Sequence, residues 1–94
     1  MSFKAGILSA RYEITKDGFV SQMAVNYLGH FLLSHLLLPL LNAGSSELQK
    51  SRIVNVASCV HRAGSIKYDD FDYKNYYRAG IAYADSKLAQ VMFT

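Results

Sequence analysis

One short segment, Arg52–Ser58 (RIVNVAS), constrains the fold more than any other feature of the chain. Its β-branched, nearly continuous apolar character is typical of a parallel strand that is covered on both faces. Such a strand needs a hydrogen-bonded neighbour at each edge, because buried backbone groups without partners are costly. The 94-residue chain offers one further strand candidate, a stub at Phe3–Leu8. We therefore expect the middle of a larger α/β fold.

A long helix precedes this strand. Thr15 or Asp17 offers N-capping chemistry, and apolar residues recur at helical spacing over 19–41. We predict an apolar helix with more than one buried face. Pro39 should bend or loosen its last turn, and the Asn-Ala-Gly sequence at 42–44 should end it.

The remaining segments are connections and a second helix. A polar connection at 45–51 leads to the strand, and a loop rich in Gly, Asp and Tyr follows at 59–79. Loops of that length are usually functional or mobile. A final helix should run from about Gly80 to Thr94. The most apolar stretch, 31–41, is too short for a bilayer, which needs about 20 residues, so we expect it to pack in a core or interface.

Charge and cysteine content narrow the function classes. The net charge of +3 comes from ten Lys and Arg against seven Asp and Glu, without a basic run, so nucleic-acid binding has little support. The three histidines are not arranged for metal binding, and the acidic residues at 69–72 lack the pattern of a calcium loop, so we expect no metal. A single cysteine cannot form an internal disulfide, which favours a reducing, intracellular compartment.

Four polar residues stand where chemistry is expected. Tyr83 and Lys87 lie four residues apart on the final helix and share one face. A nearby cation favours phenolate, so such a tyrosine can exchange a proton with a hydroxyl or carbonyl. Ser58 ends the predicted strand, where open α/β sheets place ligand sites. Asn26, among hydrophobes of the long helix, must find partners either as structural glue or as part of a site.

Three motifs, taken in order, resemble the short-chain dehydrogenase/reductase family, in its retinol dehydrogenase-like branch. They are VNYLGHF at 25–31, RIVNVAS at 52–58 and YADSKLAQ at 83–90. The resemblance covers nearly the whole chain. It implies that residues 1–94 form part of a doubly wound parallel-sheet (Rossmann-like) α/β domain, its catalytic middle: long helix, strand, substrate loop and catalytic helix.

The resemblance implies a catalytic tetrad of Asn26, Ser58, Tyr83 and Lys87. Tyr83 would be the general acid or base, and Lys87 would favour its phenolate and bond the nicotinamide ribose. Ser58 would hold the substrate oxygen. Asn26 would hold a water that links Lys87 to solvent. Gly6, left from an Asn-Asn-Ala-Gly motif, would contact the cofactor together with Tyr83 and Lys87.

The implied reaction is hydride transfer between NAD or NADP, with NADP favoured by the branch, and a hydrophobic alcohol or carbonyl such as a retinoid, steroid or polyprenol. Residues 59–82 would line or cover the substrate site, and their five aromatic residues before Tyr83 suit a bulky apolar substrate. The family's Gly-rich Thr-Gly-x-x-x-Gly-x-Gly motif does not occur in this sequence. We therefore expect the isolated chain to be inactive and to bind nucleotide poorly.

Association is the alternative function. In the resembling family, the helices that match 17–42 and 80–94 build a dimer interface, so a homodimer is expected here. A non-catalytic truncated form that acts only through these helices is the competing hypothesis. An association with the endoplasmic reticulum is expected if the full-length chain carries an anchor.

Overall fold

Two short strands and two helices form the framework of the protein, described over residues 1–94 by a computed structural model. Strand β1 is Ser2–Phe3 and strand β2 is Val54–Asn55. Helix α1 spans Ser21–Ala43 and helix α2 spans Ala79–Phe93. A 3-10 helix at Cys59–Ala63 lies between β2 and α2. This order of parallel strands and helices is that of a partial α/β fold, as predicted.

The sheet is shorter and more open than the sequence predicts. Ser2 pairs with Val54 and Phe3 with Asn55, in parallel. The partner strand therefore lies at the amino terminus, but it shares only Phe3 with the predicted stub at Phe3–Leu8. Val54 and Val56 are exposed, so the expected burial of β2 on both faces is wrong. A sheet of two strands is too small to cover its own faces and edges.

The start of α1 differs from the prediction. The Thr15 Oγ1 accepts the Phe19 N–H at 3.3 Å, and the Thr15 N–H donates to the Phe19 carbonyl at 2.8 Å. These bonds close a turn in which Gly18 has a φ of +88°, a conformation that favours glycine. The helix begins only after Val20, without a side-chain cap. The predicted N-cap at Thr15 or Asp17 is wrong, because the Thr15 hydroxyl accepts a hydrogen bond within this turn and the helix begins after it.

Helix α1 is not uniform along its length. It consists of an α-helical turn, a π-helical turn and a regular α-helix: Ser21–Met23, Ala24–Leu28 and Gly29–Ala43. It passes Pro39 without a break and ends at Ala43, within the predicted end region. The π-helical turn contains Asn26. Such turns inside α-helices frequently occur at functional sites.

The packed face of α1 is polar. Apart from Met23, its buried residues are polar and recur every four positions: Gln22, Asn26, His30 and Ser34. The leucines that face away from them are exposed: Leu32, Leu36 and Leu40. The expectation of an apolar helix buried on several faces is therefore wrong. Gln22, Asn26 and His30 have hydrogen-bond partners on other segments, whereas no element covers the leucines.

Helix α1 is longer than the apolar stretch at 31–41, which by itself is too short to cross a bilayer. The helix has 23 residues and, by length and composition only, is long and apolar enough to cross a membrane. A core helix of a soluble protein passes the same test.

A small apolar core joins α1, α2 and the loop between β2 and α2. Its buried members are Val20, Met23, Tyr73, Ala82 and Ala89. Helix α2 begins one residue before the predicted Gly80. It is buried along two faces, one toward α1 and one toward the loop. The residues of the candidate site on α2 therefore lie between these segments.

Candidate active site

Tyr83 and Lys87 share one face of α2, as their spacing predicts. The Lys87 Nζ lies 5.7 Å from the centroid of the Tyr83 ring, within the range of a cation–π attraction. Lys87 is only 4% exposed. Its ammonium donates to the Val56 carbonyl at 3.1 Å and to the Gln90 Oε1 at 3.2 Å. The lysine therefore points into the protein, between α2 and the end of β2.

The Lys87 ammonium has no counter-ion. The ion pairs of the chain involve other lysines, and no carboxylate oxygen lies within 4.0 Å of the Lys87 Nζ. Burial lowers the pKa of Lys87 below its usual value, because uncharged acceptors replace only part of the lost hydration. An ammonium has three N–H donors. With two acceptors in the chain, one donor stays available for a ligand.

Asn26 and Gly6 complete this side of the site. The Asn26 Oδ1 accepts the Ile7 N–H at 2.7 Å, and its Nδ2 donates to the Ile7 carbonyl at 3.0 Å and to the Ser86 Oγ at 2.9 Å. A Cβ added to Gly6 would lie 3.4 Å from both the Asn26 Oδ1 and the Lys87 Nζ. The structure thus brings Gly6, Asn26 and Lys87 together. Since the Asn26 amide is bonded to protein groups, its role as a water ligand stays a prediction.

Ser58 caps the 3-10 helix. Its Oγ accepts the Val60 N–H at 3.4 Å. At the other end of this helix, a Cβ added to Gly64 would lie 2.6 Å from the Ala84 carbonyl oxygen. Only glycine permits so close an approach, which seats the segment from Ser58 to Gly64 on the turn of α2 that carries Tyr83. The contact of Ser58 with a substrate oxygen stays a prediction.

A second buried charge lies on another face of α2. Asp85 is 1% exposed and accepts three hydrogen bonds. Its Oδ1 accepts the Ser65 N–H at 2.6 Å, and its Oδ2 accepts from the Lys67 Nζ at 2.5 Å and the Tyr73 hydroxyl at 2.6 Å. We call these four residues the Asp85 cluster. It fixes the loop over 65–73 on α2.

Tyr73 is the strained member of the Asp85 cluster. Its φ is +56°, which is uncommon for a bulky side chain. Burial, followed by the hydrogen bond to Asp85, raises the pKa of Tyr73 well above its usual range. A residue is held in such a conformation only where its surroundings over-determine it, and here the buried hydroxyl contact does so.

The loop aromatics do not gather at Tyr83. Two of them line an apolar cavity of about 630 Å³ with residues of α1 and α2: Tyr68 and Phe71, with Tyr27, Phe31, Met92 and Phe93. Met92 follows Tyr83 by nine residues, about two and a half helical turns, and so faces the opposite side of α2. The prediction that the loop covers the substrate site stays a prediction.

Two site residues received no role from the sequence. Gln90 is fully buried against Lys87, and its Nε2 lies 3.3 Å from the His30 Nδ1. The polar residues at every fourth position of α1 were a usable signal, because a polar stripe on an apolar helix marks a face with partners. Gln90 lies within the third motif, but its contact with Lys87 depends on how α2 packs.

Several named proteins are similar to this chain in sequence. Retinol dehydrogenase 12 from Bos taurus is 47% identical over 90 residues, which cover 96% of this chain and 27% of that protein. Retinol dehydrogenase 11 from Homo sapiens has the same identity and coverage, and the human polyprenol dehydrogenase is 41% identical. The chain matches the retinol dehydrogenase-like branch of the short-chain dehydrogenase/reductase family. The resemblance seen in the three motifs is thereby confirmed.

A solved structure extends this short-chain dehydrogenase/reductase match to the fold. An uncharacterized protein from Mycobacterium Paratuberculosis superposes with a TM-score of 0.81 at 38% identity, over 99% of this chain and 32% of that one. The expected α/β fold class is confirmed. No protein-family model matches the chain. The chain spans about a quarter of the length of these curated relatives (27%).

Proposed function

We propose that this chain carries the catalytic segment of an NAD(P)-dependent oxidoreductase. The reaction is hydride transfer between the cofactor and a hydrophobic alcohol or carbonyl. The observation that carries the proposal is the position of a buried Lys87 without counter-ion beside the Tyr83 ring. Relatives named retinol dehydrogenase and polyprenol dehydrogenase support the class of substrate, an apolar alcohol of the retinoid, steroid or polyprenol type.

Each residue of the tetrad has a distinct task. Tyr83 exchanges a proton with the substrate oxygen as general acid or base. Lys87 supplies the positive charge that favours the phenolate form. Ser58 accepts one long bond from Val60, so its own O–H is free to donate to the substrate oxygen. Asn26 holds the segment before α1 against α2 through Ile7 and Ser86.

The surroundings of Lys87 fit one end of a nicotinamide cofactor. Lys87 has a spare N–H donor, and Gly6 carries no side chain that would block the approach of a ribose hydroxyl. When bound, the nicotinamide accepts or supplies the hydride. We propose NADP as the preferred form, from the branch that the sequence resembles.

The decisive test is Tyr83→Phe in a dehydrogenase chain that contains this segment together with a Gly-rich cofactor motif. Phenylalanine keeps the ring but removes the proton donor, so turnover should fall by about 100-fold or more. Cofactor affinity, measured by titration with NADPH, should stay unchanged. Tyr76→Phe, at an exposed loop position, is the matched control and should retain full activity. Residual activity above about a tenth of wild type would contradict the role of Tyr83.

Association through the helices is a second candidate, and a separate observation favours it. α1 exposes a row of leucines, and the apolar cavity opens between α1 and α2. Exposed apolar surface of this kind marks interaction sites in soluble proteins. We propose that α1 and α2 form a homodimer interface, in an intracellular, reducing compartment where the exposed Cys59 thiol stays free.

Sedimentation velocity tests the association. Leu36→Lys places a charge on the exposed face of α1 and should shift the chain from dimer to monomer. Leu48→Lys, at a fully exposed leucine in the connection after α1, is the control and should leave the dimer intact. A wild-type chain that sediments as a monomer at all concentrations would refute this candidate and leave the catalytic proposal untouched.

A further inference from the structure

Lys87, Gln90 and His30 form a buried polar chain between α2 and α1. The Lys87 Nζ donates to the Gln90 Oε1 at 3.2 Å, and the Gln90 Nε2 lies 3.3 Å from the His30 Nδ1. The three residues are 4%, 0% and 7% exposed. The His30 ring stacks on Phe3, with 4.8 Å between centroids and 18° between planes. The stacking fixes the plane of the imidazole.

The charge on Lys87 determines the direction of each bond in this chain. An ammonium only donates, so Gln90 must present its oxygen to Lys87 and its NH₂ group to His30. The His30 Nδ1 must then accept, which leaves the imidazole neutral with its proton on Nε2. In a His30 cation, the Nδ1–H would point at the NH₂ group of Gln90. Because both groups are donors, the Gln90 amide would have to turn over.

We propose that Gln90 is a positioning residue for Lys87, and that neutral His30 holds the Gln90 amide in the orientation that keeps the Lys87 ammonium charged and beside Tyr83. The inference rests on the proposed function, because it concerns the proposed catalytic lysine. Gln90 has no contact with reacting atoms and acts only through Lys87. It matters because the Val56 carbonyl is the only other acceptor that the chain gives this ammonium.

No negative charge competes with Gln90 for Lys87. From α2, the Tyr83 ring lies 5.7 Å from the ammonium. From α1, His30 lies within electrostatic range of the ammonium, and Gly6, three residues after β1, lies beside both the ammonium and the Asn26 Oδ1. The segment after β2 contributes a backbone carbonyl. The nearest carboxylate along α2, Asp85, is bonded to the Lys67 ammonium on another face.

Burial lowers the pKa of both His30 and Lys87, in agreement with this geometry. Burial, and then repulsion by Lys87, lower the pKa of His30, while a hydrogen bond with the Asn26 backbone opposes them. The imidazole therefore stays neutral to lower pH than an exposed one. Burial also lowers the pKa of Lys87, so the loss of an acceptor should push its protonation further toward the amine.

The experiment follows the side-chain NMR signals of Lys87 through an alkaline titration, with the signals assigned by their loss in Lys87→Arg. Gln90→Leu removes the acceptor and should lower the protonation constant of Lys87 by about tenfold, and Gln90→Glu adds a carboxylate and should raise it by about tenfold. In the cofactor-competent dehydrogenase, the alkaline limb of kcat/KM should move in the same two directions. The opposite signs separate positioning from a structural role, which would impair both variants alike.

Gln49→Leu and Gln49→Glu are the matched controls, because Gln49 lies exposed in the connection after α1. If Gln90→Leu fails to fold by circular dichroism, Gln90→Glu keeps an oxygen acceptor and carries the test alone. A Lys87 protonation constant within about twofold of wild type in folded Gln90→Glu would overturn the inference. Full turnover in Tyr83→Phe would instead overturn the proposed function and leave the titration result standing.

Discussion

The two charges buried on α2 are compensated in opposite ways. Asp85 accepts three hydrogen bonds, one of them from an ammonium, whereas Lys87 meets only uncharged acceptors. The two residues are separated by one residue and lie on different faces of the helix. A buried charge with complete partners is costly to disturb and stabilises one arrangement. A buried charge without a counter-ion has a shifted pKa, which is typical of functional sites.

Asp85 and Lys87 also differ in the segments that they contact. The Asp85 cluster bonds the loop over 65–73 to α2, beside the apolar contacts of that loop with the core. Lys87 donates to the Val56 carbonyl just after β2 and lies near Gly6. One face of α2 therefore anchors the loop, and the other carries the lysine that we propose to be catalytic.

The largest effect should come from breaking the anchored face. Asp85→Ala removes the acceptor of three donors, two of which are on buried or half-buried groups, and should cost about 3 kcal/mol of local stability. Hydrogen exchange at the Ser65 amide should then accelerate by about 100-fold, since each factor of ten corresponds to about 1.4 kcal/mol. Asp69→Ala, at an exposed loop position, should leave this exchange unchanged. Equal protection in both variants would show that the cluster is not an anchor.

A smaller effect should follow from a change that touches neither charge. Gly64→Ala places a Cβ 2.6 Å from the Ala84 carbonyl oxygen, so the 3-10 helix must shift away from α2 at a cost of about 1–3 kcal/mol. Hydrogen exchange of the 3-10 helix amides measures the shift. Gly80→Ala is the control, because an added Cβ there meets nothing within 4 Å. If Gly64→Ala exchanges like wild type, the close approach is not what seats Ser58.

The smallest expected effect is a difference between the two faces in how their contribution to stability depends on pH. Tyr73 has a pKa raised above the usual 10.0, so its contribution to folding is complete below about pH 10 and is lost as pH rises toward the folded pKa. Lys87 has a pKa lowered from 10.5, so its contribution is complete above that value and is lost as pH falls through the folded pKa. The two faces should therefore respond to alkaline pH with opposite signs.

Phenolate absorbance tests the tyrosine half of this comparison. One tyrosine should ionise later than the exposed ones, and Asp85→Asn should bring it back toward them, because the carboxylate is one cause of the raised pKa. A wild-type chain whose tyrosines all ionise together would contradict the buried contact between Tyr73 and Asp85.

Local spacing along the chain determined the part of the site that lies on α2. The Tyr83–Lys87 pair shares a face because any helix places residues four apart side by side. The end of α1 at Ala43 and the bounds of α2 were predictable for the same reason, since capping and periodicity act over a few residues. The three motifs also carried the resemblance to retinol dehydrogenases that the comparison with known proteins confirmed, because their order is a property of sequence alone.

Only the tertiary structure decided which faces are buried and which charges are satisfied. The donors of the Asp85 cluster come from positions 65, 67 and 73, and no local pattern relates them to Asp85. The buried face of α1 is its polar stripe, because hydrogen-bond partners on α2 and beside Gly6 lie there and nothing covers the leucines. Burial and hydrogen bonding depend on segments distant in sequence, so the partners of Lys87 and Asp85 become visible only when the chain is folded.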